Sequence, residues 1–218
     1  MKIKILAVLC LVFLCAVSVF AKEILESQDW TQIEWRNGDK DLPRVLMIGD
    51  SIVNGYHFKL REKLEGVFYV DKIVTSRCLD HEIYWKQIDM MLCEKKYDMI
   101  FFNFGLHGFY MNDKDYAQGI DKLAKTLLKE TPKIAYLATT PLREDNEGIK
   151  DLNLKVIRRN IIAKKMTEKY GIDYIDQYNL VLGKEGIRIE DPYHYNEAGK
   201  ELQADFISKI ILKMYKGK

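Results

Sequence analysis

Gly49-Asp50-Ser51-Ile52 follows a short apolar run, and Asp191-Pro192-Tyr193-His194 stands 140 residues further on, ahead of a terminal amphipathic stretch. The two blocks hold a hydroxyl, a carboxylate and an imidazole in the order Ser51, Asp191, His194. A serine hydroxyl is a poor nucleophile at its ordinary pKa. It becomes a good one when an imidazole takes its proton and a carboxylate holds that imidazole in place. Ser51, directly after a strand and at a helix start, would meet free backbone N–H groups and the positive end of the helix dipole, both suited to an oxyanion. Gly49 permits a tight strand exit and Asp50 can cap the following turn. The bland alternatives are an N-cap serine and a solvated Asp/His surface turn. With four histidines in the chain and this placement, the catalytic reading is preferred.

Other first-loop chemistries fit worse. Gly49 and Gly55 are too far apart for a phosphate-binding P-loop, and Tyr56-His57 stands where that motif needs Lys and Ser/Thr. No G-x-G-x-x-G occurs, so dinucleotide binding has no support. Val53 takes the place of the second glycine in G-x-S-x-G, which disfavours a large α/β-hydrolase. No metal-ligand spacing is present, and no cofactor is expected.

From Arg44 onward, short apolar runs alternate with longer amphipathic stretches, the pattern of a parallel sheet covered by helices on both faces. Five strands are expected, over residues 45–48, 68–74, 99–104, 134–139 and 173–175. Helical periodicity covers about 58–65, 81–94, 115–129, 152–170 and 197–215. Asn196 is the expected N-cap of the last helix and Gly171 the stop of the fourth. In such sheets ligands bind beyond the carboxyl ends of the strands. Ser51 follows the first strand, Arg77 the second, Gly105 and His107 the third, Thr140 the fourth, and the Asp191/His194 block the fifth. Polar residues from five places thus converge on one edge.

The chain opens with Lys2 and Lys4, then a 16-residue apolar run ending in Val19-Phe20-Ala21. That is the layout of a secretory signal peptide over 1–21, and the run is shorter than the ~20 residues needed to span a bilayer. Leu9 and Leu14 precede Cys10 and Cys15 where a lipoprotein signal carries a small residue, so lipid anchoring is the weaker option. Residues 22–43 read as a strap lying on a single domain over 44–218. The protein is expected to be secreted or periplasmic, with no stable membrane insertion once the signal is removed. Cleavage leaves 32 basic and 32 acidic residues, which offers no general attraction for nucleic acid or anionic membrane. Cys78 and Cys93 remain and are expected as free thiols, Cys93 on the buried face of a helix and Cys78 in a strand-end loop.

With both blocks in this order on this strand pattern, the chain resembles the SGNH, or GDSL-type, hydrolases from Arg44 to about Gln203. The resemblance implies a flavodoxin-like three-layer α/β sandwich with a five-stranded parallel sheet. It also implies Ser51 as nucleophile, His194 as general base and Asp191 as its orienter. The middle blocks depart from the family. Thr75-Ser76-Arg77-Cys78 lacks the glycine whose N–H usually donates to the oxyanion, and Gly105-Leu106-His107-Gly108 puts His107 where asparagine is usual. The chain is similar to a divergent branch with Gly-Leu-His-Gly in this block. A neutral imidazole donates one hydrogen bond, so the oxyanion donors are expected from Ser51, Arg77 or Cys78, Gly105 and His107. Asn103 is an alternative donor, with a structural bond inside a strand as its plainer role.

Arg77 and Arg143, after the second and fourth strands, suggest contacts to an anionic or hydroxyl-rich substrate, with packing or surface ion pairs as the alternative. Tyr193 and Tyr195 flank the base and can wall a pocket or stack on a sugar. His57 and His81 are expected at helix surfaces or element starts without chemistry. By resemblance the substrate is a small-molecule or polysaccharide ester, with carbohydrate O-acetyl groups favoured. Lipid or lysophospholipid cleavage, or an inactive carbohydrate-binding module, are the alternatives.

Overall fold

A computed structural model describes residues 29–217; the expected leader over 1–21 and the first part of the strap lie outside the described residues. Apolar runs form strands β2 (Arg44–Gly49), β3 (Tyr69–Thr75), β4 (Met99–Phe102), β5 (Ile134–Leu137) and β6 (Asp173–Ile175), all paired in parallel. Helices α1 (Ser51–Lys63), α2 (Glu82–Glu94), α3 (Asp113–Leu127), α4 (Glu147–Tyr170), α5 (Gln177–Val181) and α6 (Glu197–Lys216) make the outer layers. Apart from Arg44 at the start of β2, the central strands are apolar because both faces are covered. Leu46, Ile48, Ile100 and Phe102 pack against Ile88 of α2 and Tyr116, Ile120 and Leu123 of α3. Alternate residues Val45, Met47, Met99 and Phe101 face Tyr56 and Leu60 of α1 and Ala204, Ile207 and Ile211 of α6. The three-layer α/β sandwich is as expected.

The strap differs from its reading as a segment merely laid on the domain. Residues Thr31–Glu34 form a further strand, β1, antiparallel to β3, so the sheet has six strands in the order β1-β3-β2-β4-β5-β6 and is mixed rather than five-stranded and parallel. A buried carboxylate fastens it: Asp71 accepts from the Arg36 N–H (2.7 Å) and from Arg44 Nη1 (2.7 Å), which also donates to the Arg36 carbonyl. Burial raises the Asp71 pKa despite these donors.

Other boundaries move for local reasons. The first helix begins at Ser51 rather than near 58, because the Asp50 side chain accepts from the Ile52 N–H (2.9 Å) and caps it. Close approach explains Gly49, where a Cβ would sit 2.3 Å from Val53 Cγ2. His57 is a correction: it is 1% exposed, on the inner face of α1, with Nε2 3.3 Å from the Val70 carbonyl. His81 caps α2 by accepting from the Ile83 N–H. Cys78 and Cys93 are not joined in a disulfide, as expected, but are exchanged in environment, Cys78 being buried and Cys93 exposed. No helix among the described residues is long and apolar enough to cross a membrane.

Candidate active site

Ser51 stands at the junction of β2 and α1, and the 191–194 segment enters the same edge just before α6. Ser51 Oγ lies 2.8 Å from His194 Nε2, and His194 Nδ1 lies 2.7 Å from Asp191 Oδ2. With Nδ1–H donating to the carboxylate, Nε2 is the unprotonated nitrogen and accepts from the serine hydroxyl. The second oxygen of Asp191 is equally occupied, accepting from the backbone N–H groups of Tyr193 (2.8 Å) and His194 (2.7 Å). Partial burial works to raise the Asp191 pKa, but the His194 side chain and these two N–H groups outweigh it and hold the carboxyl below its ordinary value. His194 and Asp191 keep 40% and 37% of their side chains exposed, so the trio lies at an open surface.

The segment is clamped from behind by two arginines. Arg188 donates to the carbonyls of Pro192 (3.2 Å) and Pro141, and lies over the Tyr195 ring at 4.5 Å. Arg143 gives its backbone N–H to Pro192 (2.9 Å), its Nη1 to Ile189 (3.0 Å), its Nη2 to Glu190, and pairs with Asp145. Arg143 therefore holds the loop that carries the imidazole, the packing and ion-pair alternative to a substrate contact. Tyr195 is likewise no pocket wall: it is 3% exposed and belongs to the core under α6. Tyr193 is half-buried, its ring 6.3 Å from that of His194.

Arg77 is also committed elsewhere. Its backbone N–H, an expected oxyanion donor, donates to Thr75 Oγ1 (3.1 Å), and its Nη1 pairs with Asp29 at 3.1 Å, the ion-pair alternative to a substrate contact. Ser51, as the first residue of α1, retains an N–H with no intrahelical acceptor. Gly105 serves close packing, since a Cβ there would fall 1.7 Å from Thr139 Oγ1. His107 sets its ring edge-on to Trp30, centroids 6.2 Å apart. Its neighbour Leu106 lines a small cavity together with Asp50 and Ile52, the residues flanking Ser51. Asn103 has the structural role: its Nδ2 donates to the Leu137 carbonyl (2.7 Å) and Thr139 Oγ1 (3.0 Å), tying β4 to β5.

Two further residues at this edge have no site role in the sequence reading, where Trp30 stands only as an anchor of the strap. Trp30 reaches this edge because β1 runs antiparallel, and its backbone is pinned by Ser76 Oγ accepting from its N–H (3.0 Å). Arg159, in the interior of α4, donates to three carbonyls of the Gly105–Gly108 loop. An arginine on a helix normally reads as solvated, and only its place in an otherwise apolar stripe hinted otherwise. One cavity of about 510 Å³ is lined by residues 36–42 and the end of α1, near the amino ends of β2 and β3, and another of about 490 Å³ is lined by Pro141, Gly183 and the two arginines that hold the 191–194 loop, Arg143 and Arg188. Among the described residues no group of three or more His, Cys, Asp or Glu is gathered as for a metal ion.

No protein-family profile and no curated protein matches the chain's sequence. Solved structures do match its shape. A lipase/acylhydrolase from Enterococcus faecalis superposes with a TM-score of 0.65 at 14% identity, over 78% of this chain and 95% of that one. A candidate SGNH hydrolase from Slackia heliotrinireducens gives 0.64 at 17% identity, over 78% and 100%. An acetylxylan esterase from Geobacillus stearothermophilus gives 0.61 at 13% identity, over 77% and 93%. At such identities the likeness speaks to the fold, and it is one fold throughout: this chain has the architecture of the SGNH hydrolases.

Proposed function

We propose that the chain is an exported, metal-independent serine ester hydrolase that works through an acyl-enzyme and removes acetyl-sized groups from carbohydrate. The observation that carries this reading is the continuous hydrogen-bonded line from Ser51 through His194 to Asp191. His194 Nε2 takes the Ser51 proton as Oγ attacks the ester carbonyl, and Asp191 stabilises the imidazolium that forms. The oxyanion meets the Ser51 N–H at the start of α1 and a donor from the Gly105–Gly108 block, for which His107 is our candidate. His194 then protonates the departing alcohol. Water, activated by the same imidazole, releases the acid and restores Ser51.

The open setting of Asp191 and His194 suits a polymer-borne ester better than a long acyl chain that must be enclosed. The acetylxylan esterase among the similar structures favours the same class, while the lipase/acylhydrolase keeps lipid cleavage as the competing reading. Export rests on the composition of residues 1–21, and amino-terminal sequencing of the mature protein from the extracytoplasmic fraction tests it. A chain-length series of 4-nitrophenyl esters, with a serine-directed phosphonate as active-site label, tests the chemistry. Fastest turnover of the acetate with labelling at Ser51 supports the proposal. Rising rates toward long chains would move it to lipids, and the absence of both turnover and labelling would leave a binding module.

A further inference from the structure

Arg159 is 2% exposed, one of the largest side chains in the molecule to be so enclosed. Its Nη1 donates to the carbonyls of Gly105 (2.9 Å) and His107 (2.8 Å), and its Nη2 to that of Gly108 (2.5 Å). The guanidinium carbon lies 4.8 Å from the centre of the Tyr116 ring and 5.1 Å from that of Phe109. No carboxylate pairs with it among the described residues; Asp113, on the adjoining helix, pairs with Arg158 instead. A buried cation is expensive unless its donors are met, and here carbonyl dipoles and ring faces meet them in place of a counter-charge.

The consequence falls on the other side of each peptide. In a trans peptide the C=O and the following N–H point in opposite directions. The Phe104 carbonyl is also drawn inward, by the hydroxyls of Tyr116 (2.6 Å) and Tyr136 (3.3 Å). With the carbonyls of 104, 105, 107 and 108 turned toward this interior, the N–H groups of 105, 106, 108 and 109 are turned away from it. Gly108 completes the bend at φ +62°, in the left-handed region. Leu106, in the middle of the run, shares a cavity wall with the residues on either side of Ser51.

We propose that Arg159 is a positioning residue for the oxyanion: it grips three carbonyls of the 105–108 loop so that the loop's donors face the Ser51 side. As a cation without a carboxylate partner, it also polarises those peptides and strengthens their N–H ends against developing negative charge. This rests on the esterase reading above. The residue touches no reacting atom and acts only through the loop.

The test uses the full chain and 4-nitrophenyl acetate. Arg159→Met should lower kcat by about 10²-fold, the scale of a lost oxyanion donor, with KM changed less than about threefold. Arg159→Lys, keeping the charge but not the three-carbonyl fork, should fall between the two. Millimolar guanidinium should raise the turnover of Arg159→Ala and leave that of wild type unchanged. Wild-type kcat in the folded methionine variant would overturn the proposal, as would a loss confined to KM. Should the methionine variant fail to fold, the lysine variant decides: an unchanged melting curve with a kcat deficit of about tenfold or more supports the assignment, and wild-type kcat overturns it. If wild type itself neither hydrolyses the ester nor takes the phosphonate, the functional reading fails first and this proposal with it.

Discussion

Replacing Asp191 by asparagine separates two roles that the structure assigns to one carboxylate. Oδ1 accepts from two backbone N–H groups, and an amide oxygen can do the same, so the 191–194 turn should keep its shape. Oδ2 accepts from His194 Nδ1, and an amide NH2 there cannot. The imidazole must then present Nδ1 as acceptor, which places its proton on Nε2, facing Ser51, where it can no longer receive the hydroxyl proton. Fixing the wrong tautomer costs about 10⁴-fold in kcat where this arrangement has been dissected. Asp191→Asn should therefore lose about 10³- to 10⁴-fold in kcat on 4-nitrophenyl acetate while melting close to wild type. Asp191→Ala gives up both backbone acceptors as well, at about 1 kcal/mol each, softened because water reaches the half-exposed turn. It should melt lower and be similarly slow. Steady-state turnover with parallel thermal melts makes the measurement. An asparagine variant within tenfold of wild-type kcat would refute the tautomer argument.

Ser51→Ala should abolish turnover and phosphonate labelling yet cost less than about 1 kcal/mol, because Asp50 rather than Ser51 is the helix cap; residual wild-type-like hydrolysis would point to another nucleophile. His107→Asn should keep appreciable turnover, whereas His107→Ala should lose about 10²-fold in kcat with little change in KM; an unaffected alanine variant would reduce the ring to packing against Trp30. His57 is held neutral by burial, with Lys72 adding to the effect, and its pKa falls to about 4. A histidine depressed in the folded state is protonated first when unfolded, so stability should drain away as pH falls from about 6.5 to about 4, by up to about 3 kcal/mol. Melting curves across that interval should show the loss in wild type and a flatter profile in His57→Gln; parallel profiles would place the acid sensitivity elsewhere.

The parts legible in the sequence were those whose signal is local. Apolar runs bounded by turn residues marked β2 to β6, and the two short blocks marked Ser51, Asp191 and His194, because hydrophobic period and residue chemistry are both written along the chain. The parts that were not legible depend on partners far away. Residues 31–34 carry a weak alternation, and they become a strand only because β3 offers a free edge and Asp71 a latch. For Arg143 and Arg77 the sequence left substrate contact and ion pairing side by side, because charge type is visible in sequence while the carbonyls and the carboxylate that meet them are not. Arg159 is the same lesson reversed: its task is set by a loop 51 to 54 residues away. His57 read as a surface residue because helical phase alone could not say that β3 closes over it.

The opposed direction of β1 has a practical side. Because that strand runs against β3, its one neighbour, Asp29 and Trp30 lie beside Arg77 and His107, at the reactive edge. The other end of the described chain is at the far pole: Tyr215 rests its ring on Phe68, and the Met214 carbonyl accepts from Lys133, residues that precede β3 and β5. A purification handle or a solid support joined after α6 therefore leaves Ser51 facing the solution, whereas the same graft just ahead of Asp29 crowds the edge at which Ser51 lies. The polarity of one four-residue strand thus dictates which side of the sheet an engineer should hold.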